Sequence, residues 1–234
     1  MYLFLTSDPC LTVEGRLGLN PANGFVHRLK ELLPPRVRCL YICSDPDHFE
    51  ETDFWGNGMR ACCEGGGLTF SEYRILDRRN DADAFPLIHG SDLIILAGGH
   101  VPTQNRYFEQ IGLGALLKEY LGVVVGISAG SMNCAEVVYA HPEEPGEAVD
   151  PHYQRFLPGL GLTEHRILPH FSKWREQTLD GLRLLEQIAV PDSCGNPFLI
   201  LEDGSYALIH QGQTQIFGPA WHLEDGILQY IDEV

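Results

Sequence analysis

Val123-Val124-Val125-Gly126-Ile127-Ser128-Ala129-Gly130-Ser131 decides how the rest of the chain is read. An apolar β-branched run climbs into Gly-x-Ser-x-Gly, and Met132, Ala135 and Val138 follow at helical spacing. Strand, sharp turn, serine and helix in that order predict a nucleophile elbow. Such a turn holds Ser128 in a strained backbone conformation and lifts its hydroxyl off the end of a sheet. Gly126 and Gly130 are required if the strand and helix backbones pass too closely for a Cβ. The N–H of Ala129 then faces the place where an oxyanion would form, with the positive end of the helix behind it.

Working outward, apolar runs alternate with helical patterns. Residues 2–6 read as a first strand, closed by Ser7-Asp8-Pro9. Residues 22–33 carry Phe25, Val26, Leu29, Leu32 and Leu33 at helical spacing, and Pro34-Pro35 stops that helix. Residues 38–43 predict a second strand, 53–65 a helix with Phe54, Met59, Ala61 and Cys62 as its apolar side, 68–76 a third strand and 92–97 a fourth. Residues 105–121 predict one helix, and 122–127 the strand that enters the elbow. This alternation predicts a three-layer, doubly wound, mostly parallel α/β sheet, with ligands at the carboxyl ends of the strands. Gly98-Gly99-His100 and Ser128 both fall at such ends.

After the elbow, the polar loop 141–151 argues against regular structure. Residues 166–170 read as a short strand ending at His170, and 175–189 as an amphipathic helix. Residues 197–204, 206–212 and 215–218 predict a small antiparallel β segment at the C-terminus. No boundary divides the chain, so residues 1–234 are expected to form one domain.

Composition narrows the function classes. The 234 residues carry a net charge of −16, which argues against nucleic acid or an anionic membrane surface as partner. Cys10, Cys39, Cys43, Cys62, Cys63, Cys134 and Cys194 are odd in number and lack C-x-x-C spacing. They read as buried free thiols in a reducing compartment. Residues 1–8 lack the basic start and long apolar core of a signal peptide. No apolar stretch approaches the roughly 20 residues that span a bilayer. A cytoplasmic location is the expectation.

A serine hydroxyl needs a base, and the base needs an orienting acid. His170 ends an apolar run directly after Pro169, at the edge where Ser128 should sit. His141, His152 and His165 lie in loops and are weaker candidates. Spacing leaves the acid open among Glu143, Glu144, Glu147 and Asp150, in the loop between serine and histidine. Gly98-Gly99 would supply a second oxyanion N–H. His100, Gln104 and Arg106 open the helix after it and could hold a substrate carboxylate or amide. No metal-binding or nucleotide-binding motif is present, so neither a metal nor another cofactor is expected.

Leu96-Ala97-Gly98-Gly99, Gly126-Ile127-Ser128-Ala129-Gly130 and Leu168-Pro169-His170-Phe171, in this order, resemble the peptidase E family of serine peptidases, which includes aspartyl dipeptidase and, more distantly, cyanophycinase. The resemblance spans nearly the whole chain and implies a class I glutamine amidotransferase-like fold. It also implies Ser128 as nucleophile, His170 as base and the backbone of Gly99 and Ala129 as oxyanion hole. The family's acid is expected in the loop between nucleophile and base, which favours Glu143, with Asp150 and Glu147 behind it. The implied reaction is hydrolysis of short peptides through an acyl-enzyme. Two departures bear on substrate choice: the loop from Pro142 to Asp150 is longer than in aspartyl dipeptidase, and the segment 99–105 differs from that enzyme's shorter Gly-Gly-Asn-Thr pattern. The expected partner is a small peptide, and the chain leaves room for a homodimer. The competing readings are an amidotransferase-like amide hydrolase and a non-catalytic binding module of the same fold.

Overall fold

The computed structural model describes residues 1–231. Five strands run parallel in the order Tyr2–Thr6, Val123–Ile127, Leu93–Leu96, Val37–Ile42, Phe70–Leu76. Tyr206–His210 and Gln213–Phe217 extend this sheet antiparallel beyond Tyr2–Thr6, making seven strands. The central strands are apolar on both faces because both faces are covered. Leu3, Leu5, Leu40, Ile42, Ile94, Leu96 and Val124 pack on one side against the helices Ala84–His89, Val101–Gln110 and Leu113–Lys118. Phe4, Cys39, Tyr41, Ile95 and Val125 pack on the other against Phe25–Leu32 and Phe49–Gly65. Each of the leucine, isoleucine, valine and phenylalanine side chains among these contributes roughly 1.5–3 kcal/mol when fully buried. The expected mostly parallel α/β sheet is therefore present, with a helical layer on each face.

The C-terminal β segment is divided rather than gathered into one small sheet. Two of its strands complete the main sheet. Phe198–Leu201, Ala220–Glu224 and Ile227–Ile231 join Arg166–Leu168 in a second sheet of four strands. Within it Phe198–Leu201 runs parallel to Arg166–Leu168, with Leu168 opposite Ile200.

Several elements differ from expectation. The predicted helix 105–121 is two helices, broken at Gly112, whose φ is +64°. Residues 175–189 hold a hairpin, Thr178–Leu179 with Leu182–Arg183, followed by a π-helical turn at Leu184–Ala189. Asp180 and Gly181 both have positive φ, the conformation that a tight hairpin turn demands. The helix after Ser128 is one turn, Ala129–Met132, before the strand Val137–Tyr139. A hairpin at Cys10–Val13 and Arg16–Leu19 was not anticipated. It brings Cys10 to Cys62 on the helix Phe49–Gly65, and the two form a disulfide, Cα atoms 6.4 Å apart. The expectation of seven free thiols fails at this pair, because a contact across 52 residues leaves no mark in local spacing. Among the described residues, no helix is long and apolar enough to cross a membrane.

Candidate active site

Ser128 sits between the last residue of a central strand and the first turn of a helix, at φ +50° and ψ −112°. A non-glycine residue holds such angles only where its surroundings impose them. The surroundings here are close-packed backbones. A Cβ at Gly126 would lie 2.8 Å from Ser131 N, and one at Gly130 would lie 2.8 Å from Ala97 O. The neighbouring strand ties the turn down: Ser128 N–H donates to the carbonyls of Thr6 and Ser7, and Ser131 Oγ donates to Thr6 O at 2.8 Å.

His170 faces the serine, with Nε2 3.0 Å from Ser128 Oγ. It follows the strand Arg166–Leu168 in the left-handed conformation, φ +61°. Its Nδ1 lies 2.5 Å from Asp203 Oδ1. That contact places the ring proton on Nδ1 and leaves Nε2 free to accept from the serine. The three side chains thus form a Ser-His-Asp relay.

The carboxylate that meets His170 Nδ1 is Asp203, and not Glu143, Glu147 or Asp150 as expected from the sequence. Glu147 turns to His100, with Oε1 2.8 Å from Nε2, and its Oε2 accepts the N–H groups of Glu143 and Glu144. Asp150 Oδ1 accepts the His152 N–H within its own loop. Glu143 makes no side-chain hydrogen bond among the described residues. Although the residue is exposed, protein crowded around its carboxyl pushes it up to about 7, with His100 and His170 pulling the other way. Asp203 reaches His170 because the strands before them are parallel neighbours. The chain leaves both strands at the same end, His170 shortly after Leu168 and Asp203 shortly after Ile200. The one available sequence signal was the apolar run Phe198–Leu201 ending in Glu202-Asp203-Gly204, the same pattern that marked His170.

Asp203 is held from three sides. Ser7 Oγ donates to Oδ1 at 2.7 Å, and Lys173 Nζ lies 2.8 Å from Oδ2. Partial burial pushes the carboxyl up, but the hydrogen bonds from His170, Lys173 and Ser7 outweigh it and hold Asp203 well below the usual carboxylate range. Ser7, fully buried at the end of the first strand, also accepts the backbone N–H of His170 at 2.8 Å. Sequence reading treated Ser7 as a turn residue only.

Gly99 has φ +152°, and a Cβ there would lie 2.5 Å from Ser44 Cβ. The N–H groups of Gly99 and Ala129 donate to no acceptor among the described residues. Two unengaged donors beside a serine hydroxyl can receive an anionic oxygen.

The expected substrate contacts divide. His100 lines the cavity at Ser128 and is fixed through Nδ1 to Thr103 Oγ1 at 2.8 Å. Gln104 is fully buried and spends its amide on Ala97 O and Asn133, so it braces helix Val101–Gln110 against the turn at Ser128. Arg106 is exposed and outside the cavity lining. His100, Glu144 and Glu147 bring one ligand atom each within 4.8 Å of one another, but both ring nitrogens of His100 are already engaged. His141, a weaker base candidate, is buried against Tyr139 and Trp174.

The cavity holds about 740 Å³ and opens over the carboxyl ends of four parallel strands: Ser7 and Asp8, Cys43 to Asp45, Gly98 to His100, and Ile127 with Ser128. A second space of about 230 Å³ lies on the other side of His170, walled by Glu143, Lys173 and Trp174.

The model of peptidase family S51 matches residues 64–217. Among solved structures, the chain is similar to a Listeria monocytogenes EGD-e protein ascribed to peptidase E, at 16% identity and a TM-score of 0.59. The match covers 99% of this chain and 98% of that one, and at this identity it speaks for the fold alone. None of the curated proteins matches the chain.

Proposed function

The chain belongs to peptidase family S51 and is a serine peptidase, and from that premise we propose that it hydrolyses short peptides through an acyl-enzyme formed on Ser128. The turn at Ser128 is read as a nucleophile elbow in a class I glutamine amidotransferase-like fold. The observation that carries the mechanism is the unbroken path from Asp203 through both nitrogens of His170 to Ser128 Oγ.

In this reading His170 Nε2 takes the Ser128 proton as Oγ attacks the scissile carbonyl carbon. The carbonyl oxygen becomes an oxyanion and is held by the N–H groups of Gly99 and Ala129. Both donors stand in place before the reaction, so no reorganisation opposes them. The tetrahedral centre collapses, the C–N bond breaks, and His170 returns its proton to the departing amine. Water then repeats the sequence against the acyl-Ser128 ester and frees the acid. Asp203 remains ionised throughout and stabilises the imidazolium formed in each half.

The test is covalent labelling with a fluorophosphonate, read by peptide mass spectrometry, beside hydrolysis of a dipeptide library. The expected result is one adduct, on Ser128, lost in His170→Ala, and no turnover by a folded Ser128→Ala variant. Undiminished hydrolysis by Ser128→Ala overturns the mechanism.

A further inference from the structure

The cavity at Ser128 has a charge pattern that suits one class of substrate. Its lining contains no lysine or arginine. It does contain Asp8, Asp45, Glu51 and Glu144. Asp45 is paired with His48 Nδ1 at 2.7 Å, and Asp8 caps the N–H of Cys10. Glu51 and Glu144 have no side-chain hydrogen bond or ion pair among the described residues, so their charges are available to a ligand.

The wall opposite the nucleophile is aromatic. On the helix Phe49–Gly65, Glu51, Trp55 and Gly58 recur at helical spacing and face the cavity, with Phe54 and Met59 beside them. Phe54 and Trp55 are 69% and 63% exposed, although the sequence assigned Phe54 to the apolar side of this helix. Their rings meet edge to face, centroids 5.1 Å apart. Two large rings left in water at the mouth of a cavity mark a binding surface rather than a core. The face of an indole attracts cations, and free carboxylates within the same cavity add to that attraction. A substrate carboxylate would meet no lysine or arginine there.

We infer that this cavity selects peptides carrying a cationic side chain, lysine or arginine, next to the scissile bond, with Trp55 and Phe54 stacking on the cation and Glu51 and Glu144 neutralising it. The selection rests on the reading of Ser128 as nucleophile, since that is what makes the cavity a substrate cavity. The net charge of −16 acts in the same direction, raising the local concentration of cationic peptides.

Affinity separates this inference from the mechanism, because binding to a Ser128→Ala protein needs no turnover. Titration calorimetry on that variant, with Arg-Ala, Ala-Arg, Asp-Ala, Ala-Asp and Ala-Ala, reads the preference directly. At least one arginine dipeptide is expected to bind about tenfold more tightly than Ala-Ala, with both aspartyl dipeptides weaker still. Its advantage should shrink as salt rises. Trp55→Ala or Glu51→Gln, added to Ser128→Ala, should bring the arginine dipeptide to within about threefold of Ala-Ala. Aspartyl dipeptides binding as tightly as arginine ones, or no dipeptide binding to a folded protein, overturns the inference. Arginine preference in binding with no hydrolysis by the wild type would leave the cation site standing and remove the nucleophile. Hydrolysis without cation preference would do the reverse.

Discussion

Asp203→Asn strikes the relay where the structure departs most from expectation. Asp203 Oδ1 accepts from His170 and Ser7, and Oδ2 from Lys173. Asparagine fits the same space but offers one acceptor oxygen in place of two. When its amide nitrogen faces His170, the imidazole must carry its proton on Nε2. That nitrogen lies 3.0 Å from Ser128 Oγ and can then no longer accept. The same exchange in a serine triad costs about 10⁴ in kcat, or roughly 5 kcal/mol of transition-state stabilisation. The assay is kcat at saturating dipeptide together with the rate of fluorophosphonate labelling, both expected to fall by about this factor with KM little changed. Glu143→Gln, made in parallel, should keep most of the wild-type rate, because Glu143 makes no hydrogen bond to the ring. Thermal unfolding is the check that both variants fold, and it adds a signature. The folded carboxyl of Asp203 lies below its ordinary value of 3.8. Its contribution to stability is therefore full above about pH 4 and is lost as pH falls through the depressed folded value. The gap in Tm between wild type and Asp203→Asn should accordingly narrow below that pH. An Asp203→Asn enzyme within about tenfold of wild type, or a Glu143→Gln enzyme as impaired as Asp203→Asn, refutes the assignment.

Two further outcomes follow from the same geometry. Ser7→Ala leaves the backbone N–H of His170 without its acceptor and removes one donor from Asp203. A loss of about 1–3 kcal/mol is expected, read as a fall in kcat of at least about fivefold with KM unchanged and partly restored in Ser7→Thr. An unchanged kcat would show that His170 is oriented without Ser7. His141 is buried with Nε2 unpartnered among the described residues, and burial pushes it down from 6.5 to about 4. The unfolded chain therefore binds the additional proton between those values. Stability should fall by roughly 3 kcal/mol as pH drops from about 6.5 to 4, and His141→Leu should flatten that slope. Denaturant melts at several pH values decide it, and an equal slope in both proteins would move the acid sensitivity elsewhere.

The parts of the site that sequence reading found share one property: each is set by its immediate neighbours along the chain. Ser128 announces itself because Gly126 and Gly130 are forced by the close passage of strand and helix. Gly99 and His170 announce themselves because an apolar run ends just before each of them. The hairpin turn at Asp180-Gly181 was equally local, yet the apolar periodicity of residues 175–189 outweighed it in the reading. Asp203 belongs to a different class. Counting residues between Ser128 and His170 confined the choice to the loop at 142–150, where Glu147 is committed to His100 and Asp150 to its own turn. What brings Asp203 to His170 is the pairing of Leu168 with Ile200 in a sheet separate from the one that carries Ser128. The disulfide between Cys10 and Cys62 and the exposed pair Phe54-Trp55 were missed for the same reason, since each depends on how distant parts of the chain are arranged rather than on what stands beside it in the chain. Ser128 therefore rides on one sheet, and His170 with Asp203 on the other. Ser7 bridges them, with its backbone carbonyl on Ser128 and its side chain on His170 and Asp203. A small shift of one sheet against the other would lengthen the 3.0 Å contact between Nε2 and Oγ, and Ser7 is the residue best placed to prevent it.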